Sequence, residues 1–220
     1  MARNRTLAEL QQEVYELADV DLAYIDEPQM TRMINASLAE LYDLVVASNK
    51  DHYAESANIS VVSGTDSYTL AADHYRLVGV DVYDGATWHL MKRFNLHERN
   101  QLQDSEASDV NTSYRVVGGA LKLRPTPTWS GTVRVWYIPA PPQLSLDTDT
   151  WDGISGWEQY VVIDCCLKLG RKQKEDVTEL VAEKTALAGR IRGLSADMDD
   201  NEPDRVRDVY LEEAGTYPAD

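Results

Sequence analysis

Residues 136–170, WYIPAPPQLSLDTDTWDGISGWEQYVVIDCCLKLG, place a strand end, a stop and a helix in direct succession. Trp136-Tyr137-Ile138 reads as the end of a β-strand. The run Pro139-Ala140-Pro141-Pro142 halts strand pairing, because proline has no amide donor and fixes its own φ. A loop of Asp and Thr carrying Trp151 follows. A helix then starts near Gly156-Trp157 and carries Tyr160, Val161, Ile163, Leu167 and Leu169. A β-rich middle must therefore return here to a helical scaffold.

The amino-terminal part of that scaffold is plain in the pattern. Thr6-Leu7-Ala8-Glu9 is a capping box, in which Thr6 closes the first turn and Glu9 reaches back. Leu7, Leu10, Val14, Leu17 and Ala18 recur at helical spacing and predict a helix over 6–19. Asp26-Glu27-Pro28 is an acidic cap with proline at an early helical position. It opens a second helix to about Ser48, with Met30, Met33, Ile34, Leu38, Leu41, Tyr42 and Val45 on the apolar face. After helix 157–173 and the charged break Lys172–Asp176, a last helix carries Val177, Leu180, Val181, Leu187, Ala188, Ile191 and Leu194. That stripe suits antiparallel packing on neighbouring helices.

Between the helical ends the period falls towards two. Ala57–Val62 and Ser67–Leu70 are expected to form a hairpin about Ser63-Gly64-Thr65-Asp66. His74–Val82 and Thr87–Arg93 flank the tight turn Tyr83-Asp84-Gly85. A short helix over 95–103, with Asn95 and Glu98 as a capping pair, leads to a hairpin of Tyr114–Val117 and Ala120–Arg124 about Gly118-Gly119. Thr132–Ile138 closes a set of six or seven short strands. The expected fold is α+β, a helical bundle from amino- and carboxy-terminal helix pairs with a small antiparallel β-sheet lobe inserted. The divisions are 1–52 (helix pair), 53–139 (lobe), 140–196 (second helix pair) and 197–220 (tail). The tail holds nine acidic and two basic groups and two prolines, and reads as an arm that folds only on a partner.

Composition narrows the function classes. With 43% hydrophobic residues in 220, the chain can bury an ordinary core. No apolar run approaches the roughly 18 residues of a membrane helix, so no membrane partner is expected. The start, MARNRTLAEL, lacks the apolar core of a secretion signal, so synthesis is expected in the cytoplasm. A net charge of −16 argues against tight binding of a nucleic-acid backbone, yet suits a wall past which DNA slides. Cys165 and Cys166 are helix neighbours whose side chains diverge, and read as small buried hydrophobes.

No catalytic or cofactor-binding constellation stands out. His52, His74, His89 and His97 lie in separate elements without metal-site spacing. His97-Glu98 reads as exposed capping residues. Gly153–Gly156 precedes a helix, but Asp147, Asp149 and Asp152 crowd it against an anion, and their spacing lacks the alternation of a calcium loop. No catalytic residue, cofactor or metal is assigned.

The aromatics say more. Twelve Tyr and five Trp stand against a single Phe, a skew that interfaces favour because these side chains bury area and keep a polar handle. Any one of them is explained by the half-exposed face of a small sheet. As a set around the joint, Trp129, Trp136, Trp151 and Trp157 are candidate contacts to a partner or another subunit. In the tail, Val206, Val209, Tyr210 and Leu211 form a short apolar patch suited to docking.

Taken in order, five segments resemble the head–tail adaptor (connector) proteins of tailed bacteriophages. They are TLAELQQEVYELADV at 6–20 with MTRMINASLAELYDLVV at 30–46, SGTDSYTLAADHYRLVGVDV at 63–82, YRVVGGALKLRPTP at 114–127, VWYIPAPPQLSLDTDTWDG at 135–153 and WEQYVVIDCCLKLGRKQ at 157–173. The resemblance covers roughly 6–195. It implies a virion protein of the neck, assembled in host cytoplasm, with no catalysis and no cofactor. It further implies a ring, usually a dodecamer, that binds the portal protein on one side and the tail tube, nozzle or another tail-side neck protein on the other. DNA would pass through without sequence-specific contact, and a terminal arm would reach the portal.

Three other readings are weighed against this. A tail terminator would also form rings but would bind the tail tube. An enzyme would show a cleft of converging polar groups within the monomer. A DNA-binding module would need a basic stripe, for which Arg115, Lys122, Arg124 and Arg134 are the candidates.

Overall fold

The computed structural model describes residues 4–49, 51–100, 111–151, 156–196 and 198. Among these residues four α-helices run Leu7–Leu17 (α1), Glu27–Ser48 (α2), Gln159–Gln173 (α3) and Thr178–Ala196 (α4). Between α2 and α3 the described residues form eight strands: Glu55–Val61 (β1), Ser67–Thr69 (β2), His74–Tyr83 (β3), Trp88–Leu90 (β4), Lys92–Arg93 (β5), Ser113–Val117 (β6), Ala120–Arg124 (β7) and Gly131–Pro139 (β8). The expected bundle with an inserted antiparallel lobe is borne out.

Both amino-terminal helices start as their caps predict. The Glu9 N–H donates to Thr6 Oγ1 at 3.2 Å, and the Thr6 N–H donates to Glu9 Oε2 at 2.9 Å. Asp26 accepts from the Gln29 N–H at 2.8 Å. Leu7, Leu10 and Val14 of α1, with Met30, Ile34, Leu38, Leu41 and Val45 of α2, bury against Tyr160, Val161 and Leu169 of α3. Fully burying each such side chain contributes about 1.5–3 kcal/mol, so this apolar face sets the bundle.

The lobe departs from expectation in detail. Its strands divide into two four-stranded sheets, ordered β1-β8-β3-β4 and β2-β7-β6-β5. The predicted hairpin of Ala57–Val62 with Ser67–Leu70 does not form, since β1 pairs with β8 and β2 with β7. The turn is redirected by its own bonds: the Gly64 N–H donates to the Pro127 carbonyl at 2.8 Å, and Tyr68 Oη accepts from the Val62 N–H at 3.0 Å. The strand expected over Thr87–Arg93 is broken at Met91. This buried residue bonds back to the Val80 carbonyl at 2.8 Å while Lys92 and Arg93 cross to the second sheet, parallel to β6. The predicted helix over 95–103 is one 3-10 turn, Leu96–Glu98, and residues 101–103 lie outside the described ones. The β6–β7 hairpin stands as read, its turn using positive φ at Gly118 (60°) and Gly119 (77°).

Val80, Val82, Val133 and Val135 of the first sheet meet Leu121, Leu123 and Tyr114 of the second in a separate apolar core. Lobe and bundle are joined at the end of β8, where Ile138 enters the helical core. Tyr42 of α2 donates to the Pro139 carbonyl at 2.6 Å, stacks on Tyr53 at 4.6 Å and meets the edge of Tyr75 at 6.3 Å. Burial, with Glu55, Tyr75 and Asp43 nearby, pushes its hydroxyl pKa up to about 12, so it stays a donor.

The stripe assigned to α4 is only partly covered. Ile191 is buried and Leu180, Leu187 and Ala188 pack partly, whereas Val181 (39%) and Leu194 (51%) are exposed. Polar contacts fix α4 instead. Asp164 of α3, 1% exposed, accepts from Lys184 of α4 at 2.6 Å, Lys168 at 2.5 Å and Ser37 Oγ at 2.6 Å. Glu40 of α2 pairs with both lysines, at 2.8 and 3.2 Å.

Candidate partner-contact surfaces

The segment 140–151 that returns the chain to α3 is fastened onto α1. The Leu7 and Ala8 N–H groups donate to the carbonyls of Asp149 and Asp147 at 2.9 and 3.1 Å. Donors that a helix start leaves open are thus satisfied by the acidic loop. Asp149 itself accepts from the Ser145 and Leu146 N–H groups, both at 2.8 Å, which hold its carboxyl below the usual carboxylate range. Its role is to shape the loop. Among the described residues no group of three or more His, Cys, Asp or Glu could hold a metal ion. Likewise, among them no helix is long and apolar enough to cross a membrane.

The four tryptophans are not brought together. Trp151 and Trp157, each 5% exposed, lie in the bundle core and support the joint from within. Trp129 and Trp136 sit half-buried in the lobe. Trp129 Nε1 donates to Thr112 Oγ1 at 3.2 Å, and its ring lies 3.2 Å from where a Cβ on Gly131 would stand. Trp136 lies on the outer face of the first sheet and donates to Asp81 Oδ2 at 2.7 Å. Beside it the Arg134 guanidinium stands 3.9 Å from the centre of Trp88 and 5.9 Å from that of Trp136. Tyr83 contacts Trp88 at 5.0 Å, and Leu90 is 77% exposed next to Gly79. Trp88 was not singled out in the sequence; its register opposite Tyr83 is what places it there. The tail patch Val206, Val209, Tyr210 and Leu211 lies outside the described residues.

The outer face of the second sheet is basic. Register puts Lys92, Arg124, Arg115 and Lys122 on one side, away from the buried Tyr114, Leu121 and Leu123. Asp66 pairs with Arg124 at 3.0 Å and Lys122 at 3.9 Å. Arg134 stands apart, on the other sheet.

An opposite surface lies on the bundle. Glu9, Glu13 and Glu16 of α1, at helical spacing, line a groove of about 500 Å³ with Arg5 and Glu158. Arg5 pairs with Glu13. Glu158, 3% exposed, accepts from the Gly156 N–H at 2.7 Å through Oε2. Its buried Oε1 has no hydrogen-bond partner.

His89 and the two cysteines are placed as structural residues. His89 bonds Asp84 at 2.7 Å inside the β3–β4 turn. Cys165 and Cys166 are free and buried, and burial pushes their thiols up to about 12 and about 11. Such thiols are poor nucleophiles at neutral pH.

What fold and surfaces define together is a subunit built for contact: a four-helix platform carrying a two-sheet lobe, with aromatic, basic and acidic faces on different sides. The family model described as SU10 adaptor protein matches residues 5–210, nearly the whole length, and the chain belongs to that family. It is a bacteriophage head–tail adaptor, a structural protein of the virion and not an enzyme. A search of the curated proteins finds no match.

Proposed function

We propose that the chain acts as a ring of identical subunits between the portal and the tail, enclosing the channel through which DNA leaves the head. Family membership supports the placement, and the distribution of uncovered apolar side chains carries the ring. Leu17 on α1 (52%), Leu90 on β4 (77%), Leu146 in the joint (64%) and Leu194 on α4 (51%) are exposed on separate parts of one subunit. A subunit with two lateral neighbours, one partner above and one below has contacts on that many sides. The outer sheet face with Trp136, Trp88 and Leu90 is assigned to one of these contacts, and Trp129 braces its edge. Trp151 and Trp157 act indirectly, by fixing the joint. The net charge of −16 keeps the channel wall from holding passing DNA.

The carboxy-terminal arm is assigned to the portal through Val206, Val209, Tyr210 and Leu211. A chain truncated after Leu194 is expected to bind the portal more weakly, and unchanged affinity removes the arm from the scheme. The ring is tested by electron microscopy of the protein mixed with the portal of the same virus, beside each alone. Added ring density beneath the portal is expected. Density on the tail tube, with none at the portal, assigns the chain to the tail side of the neck.

A further inference from the structure

We propose that adjacent subunits join by seating the basic outer face of the lobe of one copy in the acidic α1 groove of the next. This rests on the ring reading above and specifies its lateral contact. A ring is built from heterologous contacts, so one chain must carry two different surfaces that complement each other. The two charged faces described above meet that requirement.

The groove is more than an acidic cluster. Glu158 is a nearly fully buried carboxylate with one oxygen unpartnered, and burial of a charged group without a partner costs free energy. Glu9, Glu13 and Glu16 add like charge along the same flank, against which Arg5 is the one cation among the described residues lining the groove. The groove continues past Glu16 to Leu17 and Val162, giving an apolar foot beside the carboxylates. That combination fits a long cationic side chain, whose methylenes lie on apolar surface while its head pairs with carboxylate. A phosphate would be repelled.

On the lobe, Lys92 and Arg93 are exposed, and no carboxylate among the described residues pairs with either. Both lie on the short edge strand of the second sheet, where register puts Lys92 on the outer face with Arg115, Lys122 and Arg124, and Arg93 on the other side, level with Tyr114. A cationic face on which Lys92 has no carboxylate partner among the described residues, and an acidic groove in which the buried Glu158 Oε1 has no hydrogen-bond partner, match in sign and chemistry. Such complementarity sets which surfaces meet and in what orientation.

The test uses the full chain assembled on its portal. Lys92→Glu with Lys122→Glu reverses charge on the outer face of the lobe and sets acid against the acidic groove, and Glu13→Lys with Glu16→Lys sets base against base. Each double variant alone is expected to need roughly tenfold or more protein to form rings. Mixed one to one, the two variants are expected to assemble again, since in an alternating ring every lobe then meets a groove of opposite charge. Near-ultraviolet circular dichroism of each variant checks that it is folded. Oxidation of a chain carrying Glu16→Cys and Lys92→Cys is expected to give a ladder of covalent multimers. Normal assembly of either double variant alone, or no recovery on mixing, overturns the contact. So does loss of portal binding with self-assembly intact, which assigns the groove to the portal. If the unsubstituted chain forms no ring on the portal, the ring reading itself fails.

Discussion

The Asn35 carboxamide holds Leu144 by both backbone groups: Nδ2 donates to the Leu144 carbonyl at 2.9 Å, and Oδ1 accepts from the Leu144 N–H at 2.9 Å. One side chain of α2 thus stands in for a strand partner at the point where the chain leaves Pro139–Pro142 and runs to α1. Leu144 is 3% exposed, so neither backbone group has water as a ready alternative. Asn35→Ala is expected to lose about 2–3 kcal/mol, the cost of two bonds with both partners left buried. The shift of the urea midpoint at unchanged slope measures it.

The turn between α3 and α4 has a similarly tight point. A Cβ on Gly170 would come within 2.7 Å of Val177 Cγ1, closer than real contacts allow. Gly170→Ala is expected to destabilise by about 1–3 kcal/mol through overpacking, despite the better helix propensity of alanine. Gly170→Ala with Val177→Ala removes the clash, so the pair should cost less than the two single changes added together. A double-mutant cycle by denaturant unfolding decides this. Additive costs mean that the two residues do not meet.

Much of this architecture was legible, for identifiable reasons. Caps and helical stripes are local signals, and Thr6, Glu9 and Asp26 act as read. Strand existence was equally local, but partner choice was not. Nothing in Ser63–Asp66 shows that the Gly64 N–H finds Pro127, which sends β2 to the other sheet. For α4, leucine spacing suggested an apolar seam, whereas Asp164 and Lys184, far apart in sequence, hold it. The tryptophans showed aromatic surface without its side: Trp151 and Trp157 turn inward, and Trp88 supplies the outer face. The acidic groove stayed hidden because Glu158 joins Glu9, Glu13 and Glu16 only when α3 packs on α1.

Cys165 and Cys166 give a direct check on the packing of α3. Both are buried, and burial pushes their thiols up to about 12 and about 11. A free thiol ionises near pH 8.5 and reacts readily with aromatic disulfides in mild base. The native protein is therefore expected to release no thiolate chromophore at about pH 8, and the urea-unfolded protein to react at both cysteines. Rapid labelling of the native chain would mean that α3 is not packed as described.

The Asp164 cluster ties stability to acid. Burial alone pushes this carboxyl up, but bonds from Lys168, Lys184 and Ser37 outweigh that and leave it below the usual carboxylate range. The two ammonium groups move in the matching direction, upward. A carboxyl with a lowered folded pKa binds its proton more readily once the chain unfolds. Its contribution is therefore complete above the unfolded value, near pH 4, and is lost as pH falls through the lower folded one. Unfolding free energy should fall steeply from about pH 4 downward. Asp164→Asn is expected to cost about 3–5 kcal/mol at neutral pH, because Lys168 and Lys184 then share Glu40 alone. The same substitution should flatten the acid limb, since the group that titrates there is gone. An acid limb equally steep in Asp164→Asn would assign the pH dependence to other carboxylates and leave α4 held by packing at Ile191.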